Sequence, residues 1–415
     1  MTLTSQTIIK HSSEYYKMFD EMCFMAKNLY NAALYKVRQA YFEYEATMSY
    51  ESLDKVLKRE GSADYAAMPM ASSAQGTLKL VMANWGAFWE ALDAYGEEPG
   101  RFTGRPKMPG YLPKTDGRSV VYLTNQNAKI RNGVMRFPKS FGGFTLPVAL
   151  GGGEVQQVRI IPKNRHYVVE VVYRRPDVPM LADNRRYIGV DLGVDNFAAV
   201  VSNDGSQPVL INGKGLKSLN KHWNKRVSHL REVETAMNGV WVATSIGRAK
   251  VSKQTKQQSN LTNKRNNQVK DFCHKASKKI IDMAINRGCN TIVVGKNDGW
   301  KQESKMGKIA NQTFVQVPYA VFIGMLEYKC KKHGLRFEVT NESYTSKTSW
   351  LDAEAPQHHE SYAGKRLKRG LFQSSSGELI NADVNGALQI IRKVFPKAKA
   401  DGVWAYGQPA RVNII

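Results

Sequence analysis

Cysteine is scarce in this sequence, and long apolar runs are absent. The 415 residues include only Cys23, Cys273, Cys289 and Cys330, which stand far apart without a CxxC pair. This spacing excludes a disulfide framework and a four-cysteine zinc site, and predicts ordinary buried thiols. No apolar run approaches the roughly 18 residues of a membrane span, and residues 1–10 lack the apolar core of a signal peptide. We therefore expect a cytoplasmic protein without a membrane partner.

Acidic side chains are heavily outnumbered. The chain has 36 Asp and Glu against 60 Lys and Arg, a formal net charge of +24. Solubility does not require so large a surplus, which is typical of proteins that bind a polyanion, above all nucleic acid. Hydrophobic residues (42%) and aromatic residues (10%) argue against disorder, and the length indicates two or three domains.

The N-terminal part of the chain combines helices with strands. Residues Thr2–Ile9 alternate like a strand, and helical segments follow at Tyr15–Tyr44 and Ser72–Tyr95. From Ser119 to Pro176 a period-two pattern with Gly-rich turns predicts a small β-barrel. The opening strand has no strand beside it in sequence, so we expect it to pair into this barrel. The helices would then be an insertion.

The C-terminal part has an α/β pattern. Its most basic segment, Lys214–Lys279, is expected to be helical and to contact phosphates, since it carries sixteen Lys or Arg against three acids. An irregular stretch is expected before Ile380. The predicted strands and helices around it are YIGVD (Tyr187–Asp191), FAAVVS (Phe197–Ser202), VLIN (Val209–Asn212), TIVVG (Thr291–Gly295), a helix over Pro318–His333, LRFEVT (Leu335–Thr340) and a helix from Asp383.

Three acids follow the ends of these elements. Asp191 ends a buried strand, Glu342 follows LRFEVT and Asp383 opens a helix. Each alone is typical of a turn or cap residue, but neighbouring elements of one sheet could bring all three together. That set suits two Mg²⁺ ions roughly 4 Å apart, which support phosphodiester cleavage.

Several motifs together resemble the TnpB family of transposon-encoded, RNA-guided nucleases, which is related to the type V CRISPR effectors. The early helix is similar in KNLYNAALYKVRQAYF (Lys27–Phe42). The other motifs, in chain order, are IGVDLGVDN from Ile188, VVGKNDGWKQ from Val293, ESYTSK from Glu342, GKRLKRGLF from Gly364 and INADVNGA from Ile380.

This resemblance implies a fold of α/β plus β class. A RuvC nuclease domain with an RNase H-like fold would span 181–345 and 381–415, and 346–380 would be an inserted target-nucleic-acid-binding segment. A wedge β-barrel would span 1–10 and 115–180. It would carry an inserted helical recognition domain at 11–114.

The resemblance also implies the catalytic residues. Asp191 and Asp383 match the first and third catalytic acids and would bind two Mg²⁺ ions. Much of the family has Glu after the fourth strand, where this sequence has Gly295. Glu342, one strand later, resembles the relocated glutamate of a TnpB subgroup and is the favoured second acid and metal ligand, with Asp298 as the alternative.

Many relatives carry a four-cysteine zinc ribbon between the last two motifs, but residues 348–380 contain no cysteine. The adjacent His358 and His359 have poor geometry for one tetrahedral ion, so no structural zinc is predicted. The basic run in this segment either guides the DNA strand to the acids or is solvated surface. It consists of Lys365, Arg366, Lys368 and Arg369.

Guide RNA and double-stranded target DNA are the implied partners, in the prokaryotic cytoplasm and in association with the nucleoid. The surroundings of five residues resemble the family's segments that read a flanking DNA motif: Gln75, Lys79, Thr124, Asn125 and Gln126. Expected contacts to the RNA or to the heteroduplex are Lys27, Arg38, Lys221, Lys225, Arg226, Lys264 and Arg265.

The favoured function is an Mg²⁺-dependent, RNA-guided DNA endonuclease of TnpB type that cuts next to a short flanking motif. Three alternatives stay open: a nuclease-inactive RNA-guided repressor, a miniature type V CRISPR effector, and a transposase that joins strands itself. The three acids favour an enzyme over a repressor. The long basic segment gives a guide-free transposase little support.

Overall fold

The computed structural model describes residues 1–244, 247–296, 315–399 and 406–414. They form two compact units, 1–176 and 177–415. Asp298, the alternative second acid, lies outside the described residues.

The first unit has four helices and two sheets. The opening strand pairs antiparallel with the last strand of the unit, Thr2 opposite Arg174, which confirms the predicted pairing. The helices are α1 (Tyr16–Tyr44), α2 (Tyr50–Arg59), α3 (Ala63–Ala66) and α4 (Ala71–Glu97). The strands are β1 (Thr2–Lys10), β2 (Val121–Thr124), β3 (Lys129–Arg131), β4 (Val134–Arg136), β5 (Thr145–Pro147), β6 (Glu154–Lys163) and β7 (His166–Arg174).

The predicted barrel is instead two sheets among the described strands. One has the order β1-β7-β6-β2, with β1 and β2 at opposite edges, and the other has the order β3-β4-β5. Short strands joined by Gly-rich turns give the same period-two pattern in a barrel and in separate sheets, so the pattern did not distinguish them. Against these sheets α1 buries Phe19, Cys23, Ala26, Tyr30 and Leu34 at helical spacing.

The second unit is built on a six-stranded sheet with the order β14-β13-β8-β9-β10-β18. Strands β8, β9 and β10 run antiparallel in succession, and β13 and β14 lie parallel to β8. The strands of this sheet are β8 (Tyr187–Leu192), β9 (Asn196–Ser202), β10 (Val209–Asn212), β13 (Thr291–Gly295), β14 (Arg336–Thr340) and β18 (Ala410–Val412).

Helices cover both faces of this sheet. Ile188, Val190 and Leu192 face one core, shared with helices α6 (Lys256–Asn286) and α7 (Tyr319–Lys332). Tyr187 and the alternate positions of β8 face a second core with helix α8 (Ala382–Val394). At Gly189 the helix is so close that a Cβ would stand 2.1 Å from the carbonyl oxygen of Ala387. Asp191 shares this face, because side chains alternate along a strand.

The basic segment is not continuously helical. Helix α5 (Lys214–Asn238) and helix α6 are joined by an antiparallel hairpin of β11 (Val240–Thr244) and β12 (Gly247–Val251). The stretch expected to be irregular likewise contains a small sheet of β15 (Lys365–Lys368), β16 (Leu371–Gln373) and β17 (Leu379–Asn381). The high density of Lys and Arg in both places masked the alternation of short strands.

Candidate active site and nucleic-acid surfaces

Three secondary-structure elements bring the three predicted acids to one region. Asp191 lies next to the last residue of β8, and β13 lies between β8 and β14. Glu342 follows the last residue of β14, Thr340, by two positions. Asp383 lies in the first turn of α8, which packs on β8. Because β8, β13 and β14 are parallel, their carboxyl ends meet at the same edge of the sheet.

Burial and neighbouring charges shift the pKa of two of these acids. Burial raises the pKa of Asp191 well above its usual value, and the charges of Glu342 and Asp383 raise it further, while Arg366 lowers it. Burial raises the pKa of Glu342 to about 7, and Lys393 opposes the shift. Like charges at close range make such a site favourable for a cation.

Two glycines provide the space in which the carboxylates lie. A Cβ at Gly386 would stand 2.8 Å from Oδ2 of Asp191, and a Cβ at Gly295 would stand 3.1 Å from Oε2 of Glu342. Any larger residue at these positions would displace the carboxylate oxygen. Gly295 is the position where much of the resembling family has its glutamate, so Glu342 reaches from the next strand into the neighbourhood of that position.

Two asparagines that the sequence analysis did not select hold the third acid. Nδ2 of Asn196 donates to Oδ2 of Asp383 at 2.7 Å. The side chain of Asn381 caps α8 by accepting from the backbone N–H groups of Asp383 (3.0 Å) and Val384 (3.2 Å). Their places in the motifs IGVDLGVDN and INADVNGA were the available signal.

The donor chemistry of the site fits a hard divalent cation. Three carboxylates supply only oxygen ligands, which Mg²⁺ prefers. The pKa of Asp191 is raised first by burial and then by the negative charges of Glu342 and Asp383, which a bound cation would offset. In the described part of the chain, no three His, Cys, Asp or Glu side chains already stand at the spacing of a formed metal site.

A cavity of 480 Å³ lies beside the acids and is also lined by cations. Asp191 and Asp383 share its wall with Lys214, Arg366, Arg369 and Arg411. The sequence analysis selected Arg366 and Arg369 but missed the other two, which lie far apart in sequence. The mixture of acidic and basic side chains is suited to a phosphodiester held beside metal-binding carboxylates.

The predicted strand-guiding residues lie on β15 and its turn. Lys365, Arg366, Lys368 and Arg369 are all exposed. A guanidinium nitrogen of Arg366 is 4.0 Å from Oδ1 of Asp383. Arg369 forms an ion pair with Asp195, whose carboxylate also binds Lys217 at 3.0 Å. Two of the four residues thus lie at the cavity.

The residues expected to read a flanking motif come from two packed segments. Gln75 and Lys79 lie on α4, Thr124 is the exposed last residue of β2, and residues 125 and 126 lie in the exposed turn that follows it. The Ser73 hydroxyl on α4 donates to the carbonyl oxygen of Tyr122 on β2 at 2.7 Å. These contacts bring the two segments together.

Of the predicted RNA contacts, Lys221, Lys225, Arg226 and Lys264 are exposed on α5 and α6. Arg38 is half-buried, and its guanidinium lies 5.1 Å from the centre of the Tyr111 ring.

One of the predicted RNA contacts, Lys27, is wrong, and another, Arg265, is half-buried. Lys27 is only 2% exposed, and its ammonium donates to the carbonyl oxygen of Lys114 at 2.8 Å. Arg265 donates to Oδ1 of Asn220 at 2.8 Å and to the carbonyl oxygen of Gln316 at 3.2 Å, and it packs over the Trp223 ring. Lys27 thus hydrogen-bonds within the protein instead of facing solvent, whereas Arg265 keeps part of its side chain exposed.

All four cysteines are buried, as predicted. Burial raises the pKa of Cys273 to about 11 and that of Cys330 to about 12, so both are unreactive thiols. Across the described helices, none combines the length and apolar character needed to cross a bilayer.

Two family models match the chain. Residues 166–301 match OrfB_IS605, described as a probable transposase, and residues 319–390 match the Cas12f1-like TNB domain. Together these matches confirm the resemblance of this chain to TnpB transposon proteins and to Cas12f-type effectors.

Solved structures show the same mixed α/β fold. A Cas12f1–sgRNA–target DNA complex aligns with a TM-score of 0.55 at 15% identity, over 91% of this chain and 82% of the other. The mini-RNA-guided endonuclease CRISPR-Cas_phi3 aligns with a TM-score of 0.50 at 12% identity, over 95% and 92%. No curated protein matches the chain.

Proposed function

We propose that this protein is an RNA-guided DNA endonuclease of the TnpB type that cuts by Mg²⁺-dependent phosphodiester hydrolysis. The observation that carries the proposal is the grouping of Asp191, Glu342 and Asp383 at one edge of the central sheet, where burial and then the charges of Glu342 and Asp383 raise the pKa of Asp191. Three carboxylates, two of which line a cavity together with four cations, suit metal-assisted phosphoryl chemistry.

The fold supports a RuvC assignment for the second unit. Numbered along the chain, the first five strands of its sheet lie in the order 5-4-1-2-3, with the first three antiparallel and the other two parallel to the first, as in RNase H-like folds. We assign 181–345 and 381–415 to the nuclease domain and 346–380 to a target-binding insertion. Residues 1–10 and 115–180 would form the wedge, and 11–114 the recognition helices.

Two Mg²⁺ ions held by the three acids would, when bound, activate a water molecule and stabilise the leaving oxygen. The rest is done by the protein's own side chains. Asn196 fixes the orientation of the Asp383 carboxylate through its 2.7 Å hydrogen bond. Arg366 and Arg369 bind the phosphates of the entering strand, with Lys214 and Arg411 on the other lining segments of the cavity.

The similar Cas12f1 structure is a complex with sgRNA and target DNA, and we propose a guide RNA and target DNA as the partners here. The net charge of +24 and the exposed lysines of α5 and α6 supply the phosphate contacts. Gln75, Lys79 and residues 124–126 would read the flanking motif, because two packed segments present polar side chains together.

The test begins with the RNA that copurifies with the full-length protein. Sequencing should reveal a defined scaffold with a variable end, and a plasmid library matching that end beside randomised flanks should be cut in Mg²⁺. D191A and D383A should abolish cutting while leaving RNA binding unchanged. E327Q is the matched control, because Glu327 is an exposed acid on α7 paired with Lys331.

Each failure has a distinct meaning. Full cutting by D191A or D383A would overturn the proposed chemistry. Guide-dependent target binding without breaks would identify a nuclease-inactive binder, and strand transfer without a guide would identify a transposase.

A further inference from the structure

The hairpin between α5 and α6 carries unusually exposed apolar side chains. Trp241 is 63% exposed and Val240 is 62% exposed. A tryptophan left in water forfeits a large apolar surface, so an exposed one on a rigid element indicates a binding surface. The proposed nuclease site makes no use of this hairpin.

The register of the hairpin sorts its side chains onto two faces. Trp241 is directly opposite Lys250, and Ala243 is opposite Arg248, so these four residues share one face. Val240 and Val242 lie on the other face. One face therefore combines an aromatic ring with two cations, and the other is apolar.

Hydrogen bonds hold the hairpin against the end of α5. The ammonium of Lys250 donates to the carbonyl oxygen of Ala236 at 3.0 Å, in the last turn of the helix. The hydroxyls of Thr235 and Ser252 are 2.9 Å apart and hydrogen-bonded. The Trp241 face is thus presented in a fixed orientation, which lowers the entropic cost of binding.

The surrounding charge selects a polyanion. From Thr235 to Lys270 the sequence has seven Lys or Arg and no Asp or Glu. An aromatic side chain among exposed cations is the combination that stacks on a nucleobase while neighbouring phosphates are neutralised. A protein partner with an apolar surface would instead favour the valine face.

The distance of the hairpin from the cavity indicates which nucleic acid it contacts: the bound RNA, or the DNA strand that is cut. Lys214, the first residue of α5, lines the cavity beside Asp191. The hairpin follows the last residue of this 25-residue helix, about 36 Å away along its axis at 1.5 Å per residue. A strand entering the cavity does not need a contact so far away, whereas a bound RNA extends over such distances.

We infer that the hairpin of β11 and β12 is an RNA-stacking platform. Trp241 stacks on an unpaired or terminal base of the guide RNA, and Arg248 binds an adjacent phosphate. This inference rests on the proposed function only in taking RNA as the resident polyanion.

The test uses the full-length protein freed of nucleic acid and the copurifying RNA, re-transcribed in vitro and labelled. W241A should weaken RNA binding in fluorescence anisotropy by roughly tenfold, as expected for the loss of one stacked base. W241F should stay within about threefold of wild type, because a phenyl ring still stacks. R248Q should reduce the slope of log affinity against log salt by about one, as for one lost phosphate contact.

V242A, on the opposite face, is the matched control and should bind RNA like wild type. Unchanged RNA affinity in W241A would overturn the inference. A loss of affinity in W241A that is seen only with a single-stranded DNA copy of the RNA would also overturn it. So would a changed molecular mass of V242A in light scattering, combined with normal RNA binding by W241A. Because binding is measured without Mg²⁺, an inactive nuclease would leave these results intact.

Discussion

The carboxylate of Glu342 lies against Gly295: its Oε2 atom is 3.1 Å from where a Cβ at that glycine would stand. Glu342 follows β14, and Gly295 ends the neighbouring strand β13. The absence of a side chain on one strand therefore leaves room for an acid from the next.

Removing the Glu342 carboxylate, or filling the space that Gly295 leaves for it, should reduce DNA cleavage. We expect E342Q to lower target cleavage by at least about a hundredfold, as for removal of a metal ligand. G295A should lower cleavage by about tenfold, because its Cβ would also stand 2.5 Å from Cδ1 of Ile390. G324A is the control, since a Cβ there meets nothing within 4 Å. If E342Q cleaves like wild type, the second catalytic acid is not Glu342 but another residue, such as Asp298.

Removal of charge repulsion should stabilise the protein without metal. Because burial and two neighbouring acids raise the pKa of Asp191, D191N should increase the free energy of unfolding by about 1 kcal/mol, or about 2–4 °C in Tm. Mg²⁺ should raise the Tm of wild type and of E327Q, but much less that of D191N. Differential scanning calorimetry with and without Mg²⁺ measures both effects. An equal Mg²⁺ shift in D191N would contradict a metal site at Asp191.

The cations of the cavity should act on the DNA strand and not on the RNA. R366A and R369A should each weaken single-stranded DNA binding about fivefold, since an exposed phosphate contact contributes on the order of 1 kcal/mol. Filter binding with DNA and with the copurifying RNA separates the two effects. R336Q is the control, as Arg336 pairs with Glu338 at the other end of β14. If R366A and R369A lost as much affinity for RNA as for DNA, Arg366 and Arg369 would not be specific contacts to the DNA strand.

Adjacent cations on α6 should behave in opposite ways. R265A should lower the free energy of unfolding by about 2 kcal/mol, because buried Asn220 and the Gln316 carbonyl lose their donors. K264A should leave stability within about 0.5 kcal/mol but weaken RNA binding several-fold. Urea unfolding and RNA titration on both variants measure the contrast. Unchanged stability together with weaker RNA binding in R265A would instead make Arg265 an RNA contact.

The half-buried Lys329 should make stability depend on pH. Burial lowers the pKa of its ammonium from 10.5 to about 8, with the nearby charge of Lys278 as the next cause. Between these values the unfolded chain holds a proton that the folded protein lacks, so the contribution of Lys329 to stability rises as pH rises through this window. Wild type should therefore gain stability over K329M between pH 8 and pH 10 in urea unfolding. A difference that stays constant over this pH range would contradict the shift.

The sequence by itself determined the strands and helices whose residues repeat with a clear period. VLIN at Val209–Asn212 has the predicted bounds, and the helix over Pro318–His333 is Tyr319–Lys332 in the structure. It also determined that Asp191 ends a strand and that Asp383 opens a helix. Local periodicity and capping carry this information, because they act between residues close in the chain.

Only the tertiary structure decided which distant residues meet. The strand order places β13 and its Gly295 between β8 and β14, which brings Glu342 towards Asp191. It placed Lys214 and Arg411 at the cavity, buried Lys27 and gave Arg265 hydrogen-bond partners on other segments. The physical reason is that the charge of a side chain does not specify its environment. The burial of that side chain and its partners depend on packing between segments that are far apart in the chain, and no local pattern encodes this packing.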